Sequence, residues 1–170
     1  MAVRPVLIYG DPRLHDVASP VEKIDKNILN LIDDMFETMF EGKGIGLAAT
    51  QIGEKKNIIV VDLGKDEPES SMIVLINPEI IKTEGMCSYD EGCLSVPGVN
   101  AELERPENIT VKFMDKDGET KDMEASGLLA RVIQHEFDHL NGILFVQKLS
   151  SSVRKKLAHQ LRNLADGIVA

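Results

Sequence analysis

The sequence predicts an α+β fold: mostly antiparallel strands packed around a central helix, with one helix before them and one after. Three observations carry that expectation. Apolar residues recur at helical spacing in three separate stretches, near residues 25–40, 128–140 and 152–165. Short β-branched runs, Ile58–Val61, Met72–Ile76 and Asn108–Met114, fill the interval between the first two stretches. The last run is followed by Asp115-Lys116-Asp117-Gly118 and then Glu119–Ala125, the pattern of an antiparallel hairpin.

A chain of 170 residues suits one domain over 1–170, and no repeat, low-complexity tract or linker divides it. The net charge of -9 argues against broad binding to nucleic acid or to anionic membranes, so neither DNA nor a membrane is an expected partner. No apolar run approaches the length of a membrane span. The opening Met1-Ala2-Val3-Arg4-Pro5 has neither a signal-peptide core nor an Arg/Ser-rich transit segment, and a cytoplasmic protein is expected. Cys87 and Cys93 would close a small disulfide loop only in an oxidising compartment, which nothing in the sequence indicates. A reduced Cys93 is then available as a ligand, whereas Cys87 is given no chemistry.

In chain order, Pro5 to Pro20 is broken by Gly10-Asp11-Pro12 and Ser19-Pro20 and reads as an extended arm with turns. His15 stands alone there, as a solvent-facing or locally bonded side chain. Asp25 caps a helix to about Phe40, with Ile28, Leu29, Ile32, Met35, Phe36 and Met39 as its apolar stripe and Lys26, Asp33, Asp34 and Glu37 facing water. The stretch Gly44-Ile45-Gly46-Leu47-Ala48-Ala49-Thr50-Gln51-Ile52-Gly53 lacks the ending of a phosphate loop and the third glycine of a dinucleotide fold. A tight turn explains its glycines but not Gln51, an amide among small and apolar residues that needs buried partners. Asn77-Pro78 interrupts the strand pattern, which resumes at Glu79–Thr83, and Tyr89 to Pro97 lies between strands. The last helix runs from about Ser152 to Ala165, with Val153, Leu157, Leu161 and Leu164 as its stripe. Arg154, Lys155, Lys156 and Arg162 lie off that stripe, and no acid occurs from Gly142 through Ala165. These cations are either a solvated face or a docking patch for an anionic partner such as RNA.

The chemistry concentrates in Gln134-His135-Glu136-Phe137-Asp138-His139. Two histidines four residues apart share one helix face and can reach one cation, and Glu136 stands beside the first. Leu128, Leu129, Val132, Ile133, Phe137 and Leu140 give that helix an apolar side, Ser126 a start and Asn141-Gly142 a stop. The competing reading is a charged helix face that happens to carry two histidines. With Cys93 as a third ligand, the set would leave a tetrahedral position open for chemistry.

Three segments, Gly44 to Gly53, Glu91-Gly92-Cys93-Leu94-Ser95 and Gln134 to His139, resemble in this order the three signature motifs of the peptide deformylases. The likeness covers essentially the entire chain and is greatest to the bacterial forms. It implies hydrolysis of the N-formyl group from the N-terminal formylmethionine of newly made polypeptides, with release of formate. Carried over by motif, Cys93, His135 and His139 would bind the metal and Glu136 would be the general base. The Gln51 amide and the Leu94 backbone N–H would hold the developing oxyanion, and Ile45, Gly46, Leu128 and Val132 would bind substrate. Glu91, Arg105 and Gln134 would orient the ligands, with a simple Glu91–Arg105 ion pair as the alternative, while Asp138 stays outside the site. The resemblance also implies one divalent ion per chain, Fe²⁺ in cells with Zn²⁺, Ni²⁺ or Co²⁺ possible after purification, and a ribosome contact would fall to the basic last helix. At Gly98-Val99-Asn100 many bacterial relatives carry a charged, arginine-containing stretch instead.

Two other classes compete. A zinc peptidase with this motif usually takes its third ligand from a later Glu or His, and here only His159 follows. A non-catalytic metal module normally closes its site with four protein ligands, and three are found.

Overall fold

Ile58–Val61 is apolar at all four positions because both faces of the strand are covered. Ile58 and Val60 pack with Leu31, Met35 and Met39 on one side, and Ile59 and Val61 meet Val132, Ile133 and Leu140 on the other. Strand periodicity thus sets two cores back to back, one under each helix. The computed structural model describes residues 2–167.

The strands are β1 (Gly46–Ala48), β2 (Ile58–Val61), β3 (Ile73–Glu84), β4 (Cys87–Cys93), β5 (Val96–Arg105), β6 (Asn108–Met114) and β7 (Thr120–Ser126). Five of them form an antiparallel sheet in the order β1-β2-β3-β6-β7, and β4-β5 form a separate antiparallel hairpin. The helices are α1 (Lys26–Glu41), α2 (Gly127–Leu140) and α3 (Ser151–Ala165). The α+β architecture and the β6–β7 hairpin match the expectation. A third core joins β5 to Leu7 and Leu14 of the N-terminal arm, to Leu144, Phe145 and Val146, and to Leu161 of α3. That arm is mainly irregular, with a short 3-10 turn at Pro12–His15, and the His15 ring lies 3.1 Å from the Gly142 carbonyl oxygen through Nδ1.

Several local expectations are corrected. Tyr89 to Pro97 does not lie between strands but belongs to β4 and β5. The inward members of β5 are Val99, Ala101, Leu103 and Arg105, and an alternation containing an alanine and a buried arginine hides the strand from a hydrophobicity pattern. Asn77-Pro78 does not end β3; it makes a bulge within it, and Asn77 exchanges two 2.8 Å hydrogen bonds with the Val21 backbone. On α1, Leu29 is 40% exposed while Thr38 is buried. Asp34 does not face water: it accepts hydrogen bonds from the Ala2 N–H at 2.8 Å and from Arg4 Nε at 2.9 Å, because the arm lies over that side. Asp25 caps α1 as expected, accepting from the Ile28 N–H at 3.0 Å. Ser126 sits at the start of α2, but its hydroxyl donates to Asn108 Oδ1 at 2.6 Å instead of accepting from the helix. α3 begins one residue early, behind Ser150 as its cap.

α2 is enclosed on nearly every side. From Ala130 to Leu140 only Phe137 escapes the fully buried class, so Arg131, Gln134, His135, Glu136, Asp138 and His139 are all taken out of water. A solvated charged face carrying two chance histidines is excluded. Among the described residues no helix is long and apolar enough to cross a membrane.

The close approach of α2 to its neighbours depends on glycine at two points. A Cβ on Gly46 of β1 would stand 2.6 Å from Val132 Cγ1 and 3.1 Å from Glu136 Cγ. Gly142, just past the helix, has φ +75°, and a Cβ there would meet the His15 carbonyl oxygen at 2.5 Å. Gly142→Ala combines a left-handed backbone with a backbone clash and is expected to cost about 2 kcal/mol or more of stability, read by denaturant unfolding. Unchanged unfolding would show that this corner is not packed as described.

Candidate metal centre

The spacing of His135 and His139 brings their Nε2 atoms within 3.2 Å of each other on one face of α2. Cys93 arrives from the end of β4, where a register shift between Glu91 and Cys93 turns the sulfur inward to 3.3 Å from His139 Nε2. The three ligand atoms all lie within 4.8 Å of one another. Both cysteines are free thiols.

Tautomers decide whether this set fits a cation. Glu91 Oε1 lies 2.8 Å from His135 Nδ1, which places the N–H of a neutral ring there and leaves the Nε2 lone pair facing the centre. Burial opposes a second proton on His135, but hydrogen bonding with Cys93 and Glu91 outweighs it and raises the ring to about 10. A cation held at the same point by Cys93, His135 and His139 would compete with that proton. Burial, followed by the charges of His135 and Arg105, holds His139 well below its ordinary value and therefore neutral. One sulfur and two imidazole nitrogens converging in a buried space suit a borderline-soft divalent ion.

Glu136 is 5% exposed, with Oε1 4.0 Å from His135 Nε2. Its Oε2 has no hydrogen-bond partner among the described residues. Burial pushes this carboxyl up to about 7, with His135 and Arg105 opposing the rise. Gln51, buried as its surroundings demand, has its two amide ends separated in function. Oε1 accepts from the Ala48 N–H at 2.9 Å, which turns Nε2 toward Ser95 Oγ at 3.1 Å and Cys93 Sγ at 3.6 Å. The N-terminal arm joins these two segments from behind: the Leu7 N–H donates to the Gln51 carbonyl and the Tyr9 N–H to the Ser95 carbonyl, each at 2.8 Å.

A cavity of about 490 Å³ opens beside the centre, with Gly44–Gly46 on one wall and Tyr89–Asn100 on the other. Ile45, Gly46, Leu128 and Val132 all line it, as do His135 and Glu136. Leu94 follows Cys93 at the hairpin turn and packs its side chain against Gly42 and Gly44.

Glu91 and Arg105 are more than an isolated pair. Arg105 donates Nε at 2.6 Å and Nη2 at 3.1 Å to the two Glu91 oxygens, and Nη1 at 2.8 Å to Asp138 Oδ2, which also meets Lys148 Nζ at 2.9 Å. Gln134 is not in this network: its amide donates to the Pro106 and Ala130 carbonyls and ties α2 to the β5–β6 link. Asp138, set aside as a sequence feature, is in the network, and so is Arg131, which sequence reasoning passed over. The signal for Arg131 was its spacing, four residues before His135 on the same helix face.

Converging ligand atoms, a buried carboxyl and room for an acyl group are the provisions of a metal-dependent hydrolase, and the cleft puts the chain in that class. The chain belongs to the polypeptide deformylase family, whose pattern matches residues 3–155. It is 51% identical over 170 residues to the peptide deformylase of Pseudomonas aeruginosa, with 97% of this chain and 100% of that protein covered. It is 48% identical over 162 residues to that of Chromobacterium violaceum, covering 95% of this chain and 96% of the other. Among solved structures, the Legionella pneumophila peptide deformylase superposes with a TM-score of 0.89 at 42% identity, covering 95% of each chain. The Ehrlichia chaffeensis enzyme in complex with actinonin gives 0.89 at 38% identity, over 96% of this chain and 98% of that one. The activity is the metal-dependent removal of the N-formyl group from new polypeptides, and the peptidase and structural-metal readings fall away.

Burial raises the Glu91 carboxyl, but hydrogen bonds from His135 and Arg105 overcome it and hold the group at about 2, against an ordinary 4.5. A carboxyl depressed in the folded state contributes stability above its unfolded value and loses it as pH falls through the folded one. The metal-free protein is therefore expected to lose on the order of 3 kcal/mol between about pH 4.5 and 2 through this group. Urea unfolding across that window should show a shallower acid loss for Glu91→Gln. An identical pH slope in the variant would remove Glu91 as its source.

Proposed function

We propose that Cys93, His135 and His139 hold the divalent ion and that Glu136 is the general base for deformylation. When bound, the ion polarises the formyl carbonyl and makes water acidic enough to attack near neutral pH. Glu136 accepts the proton of the attacking water at its carboxylate and delivers it to the departing amine. Gln51 Nε2 and the Leu94 backbone N–H donate to the oxygen of the formyl group as it gains charge, a kind of contact worth about 2.7–4 kcal/mol in comparable sites. Ile45, Gly46, Leu128 and Val132 seat the methionine side chain and the peptide backbone. Glu91 and Arg105 hold His135 in its tautomer, and Gln134 acts only through the position of α2. The observation that carries the reading is the unpartnered Glu136 oxygen beside three converging ligand atoms.

Metal choice follows supply and geometry, because Zn²⁺ binds most nitrogen–sulfur sites more tightly than Fe²⁺. We assign Fe²⁺ in cells, with Zn²⁺, Ni²⁺ or Co²⁺ taken up on purification; anaerobic metal analysis of protein as isolated tests this. The chain works as one metallohydrolase domain over 1–170 in the cytoplasm, where its substrates emerge. The exposed cations Arg154, Lys155, Lys156 and Arg162 of α3 give it a surface for ribosomal RNA.

Glu136→Ala should keep its metal and lose at least about 100-fold in the rate of formate release from a formyl-methionyl peptide. A wild-type rate would end the general-base assignment. The base works ionised, so kcat/KM is expected to fall on the acid side, at a pH below the value of about 7 that burial gives the carboxyl of the metal-free protein. A bound cation favours the ionised form and moves the limb lower. Neutralising the four α3 cations should weaken pelleting with ribosomes and leave small-peptide turnover intact. Equal pelleting at low salt would count against the docking surface.

A further inference from the structure

Glu91 is held by two guanidinium groups, and the second comes from the metal-binding helix itself. Arg131 lies one turn before His135 on α2 and donates Nη1 to Glu91 Oε2 and, at 2.9 Å, to the Leu103 carbonyl. Its Nη2 donates to the Cys87 carbonyl at 2.8 Å. All three acceptors belong to β4 or β5, the hairpin that delivers Cys93. The Arg131 and Glu91 side chains are each 4% exposed, and the Tyr89 ring covers the guanidinium at 5.6 Å.

We propose that Arg131 is a positioning residue of the metal centre: it latches the Cys93 hairpin to the helix carrying both histidines and keeps Glu91 seated on His135 Nδ1. The three ligands come from two bodies, a hairpin and a helix, and the centre closes only if these keep a fixed separation. Cys93 cannot set that separation, because its own position is what must be fixed. Arg105 spans both Glu91 oxygens and also reaches Asp138 on α2, so it too ties the carboxylate to the helix. Arg131 adds a second guanidinium on Oε2, and its planar fork meets two backbone carbonyls and a carboxylate at once. A lysine offers the charge without that fork. Residues that orient metal ligands are typically worth 10- to 100-fold in metal affinity.

The inference rests on the ligand assignment above, and its test keeps the two apart. Zn²⁺-loaded or Co²⁺-loaded enzyme is challenged with a chelator and the release rate measured. Arg131→Met, which keeps the apolar stem, is expected to release metal about 10- to 100-fold faster, and Arg131→Lys to fall between it and the wild type. Because one of the three bonds of Arg131 goes to Glu91 and the others to the hairpin backbone, the Arg131→Met/Glu91→Gln double variant should release metal more slowly than the product of the two single effects. Wild-type release from Arg131→Met, or effects that multiply in full in the double variant, would overturn the proposal. Should Arg131→Met fail to fold, Arg131→Lys carries the test, and wild-type release from it has the same consequence. Cys93→Ala reads the ligand assignment separately: undiminished metal binding there sinks that reading, whatever Arg131 does.

Discussion

A carboxylate buried between two guanidinium groups and an imidazole N–H is the contact on which the rest of this structure turns. Glu91 has almost no access to water, and its ionised form survives because hydrogen bonds on both oxygens replace the lost hydration. Buried charge of this kind is a poor way to make a fold stable, since an apolar cluster of the same volume often serves as well, whereas breaking one partner typically costs about 3–5 kcal/mol. What the network supplies is orientation. It fixes which nitrogen of His135 bears the proton, and it links the hairpin, α2 and Lys148 through Asp138. Ordering three ligands this way leaves little rearrangement for a cation to impose.

The sheet explains how such a network can sit so deep. Covering β2 on both faces draws α2 into the interior, and the polar side of that helix then faces the β4–β5 hairpin rather than water. Every polar group on it must find a partner inside the protein. Arg131, Asp138 and Gln134 do so with hairpin atoms, with Lys148 or with the β5–β6 link. Two atoms do not: Glu136 Oε2 and His139 Nδ1 lack partners among the described residues. One of these belongs to the acid assigned to proton transfer, and the other to a ligand ring. Among the described residues, buried side-chain atoms without a partner are therefore confined to the candidate centre.

What the sequence disclosed follows the range over which physical signals act. The helical period of α2, with its two histidines four residues apart, is a local property and was legible, as were the β6–β7 hairpin and the Asp25 cap. Gln51 was legible as a polar residue out of place, which its buried amide explains. The β4–β5 hairpin was not, because its inward row includes Ala101 and Arg105 and its first residues include Pro97 and Gly98. Asp138 stayed outside the expected site because its partners, Arg105 and Lys148, come from other elements. Asp34 left its expected water-facing place because the arm at Ala2 and Arg4 covers that side of α1, and no periodicity within a helix encodes what will lie over it.

The seam closed by Leu7 and Tyr9 has a consequence for the order in which the molecule assembles. The arm finds its seats on Gln51 and Ser95, both far along the chain from Leu7 and Tyr9, so neither contact forms locally. Closing so long a loop is slow relative to forming a helix or a hairpin. The segment that carries the Gln51 amide is thus braced from behind by a contact that has a long loop to close. Closure of the arm over the back of the cleft is expected among the later steps of folding, after the local helices and hairpins.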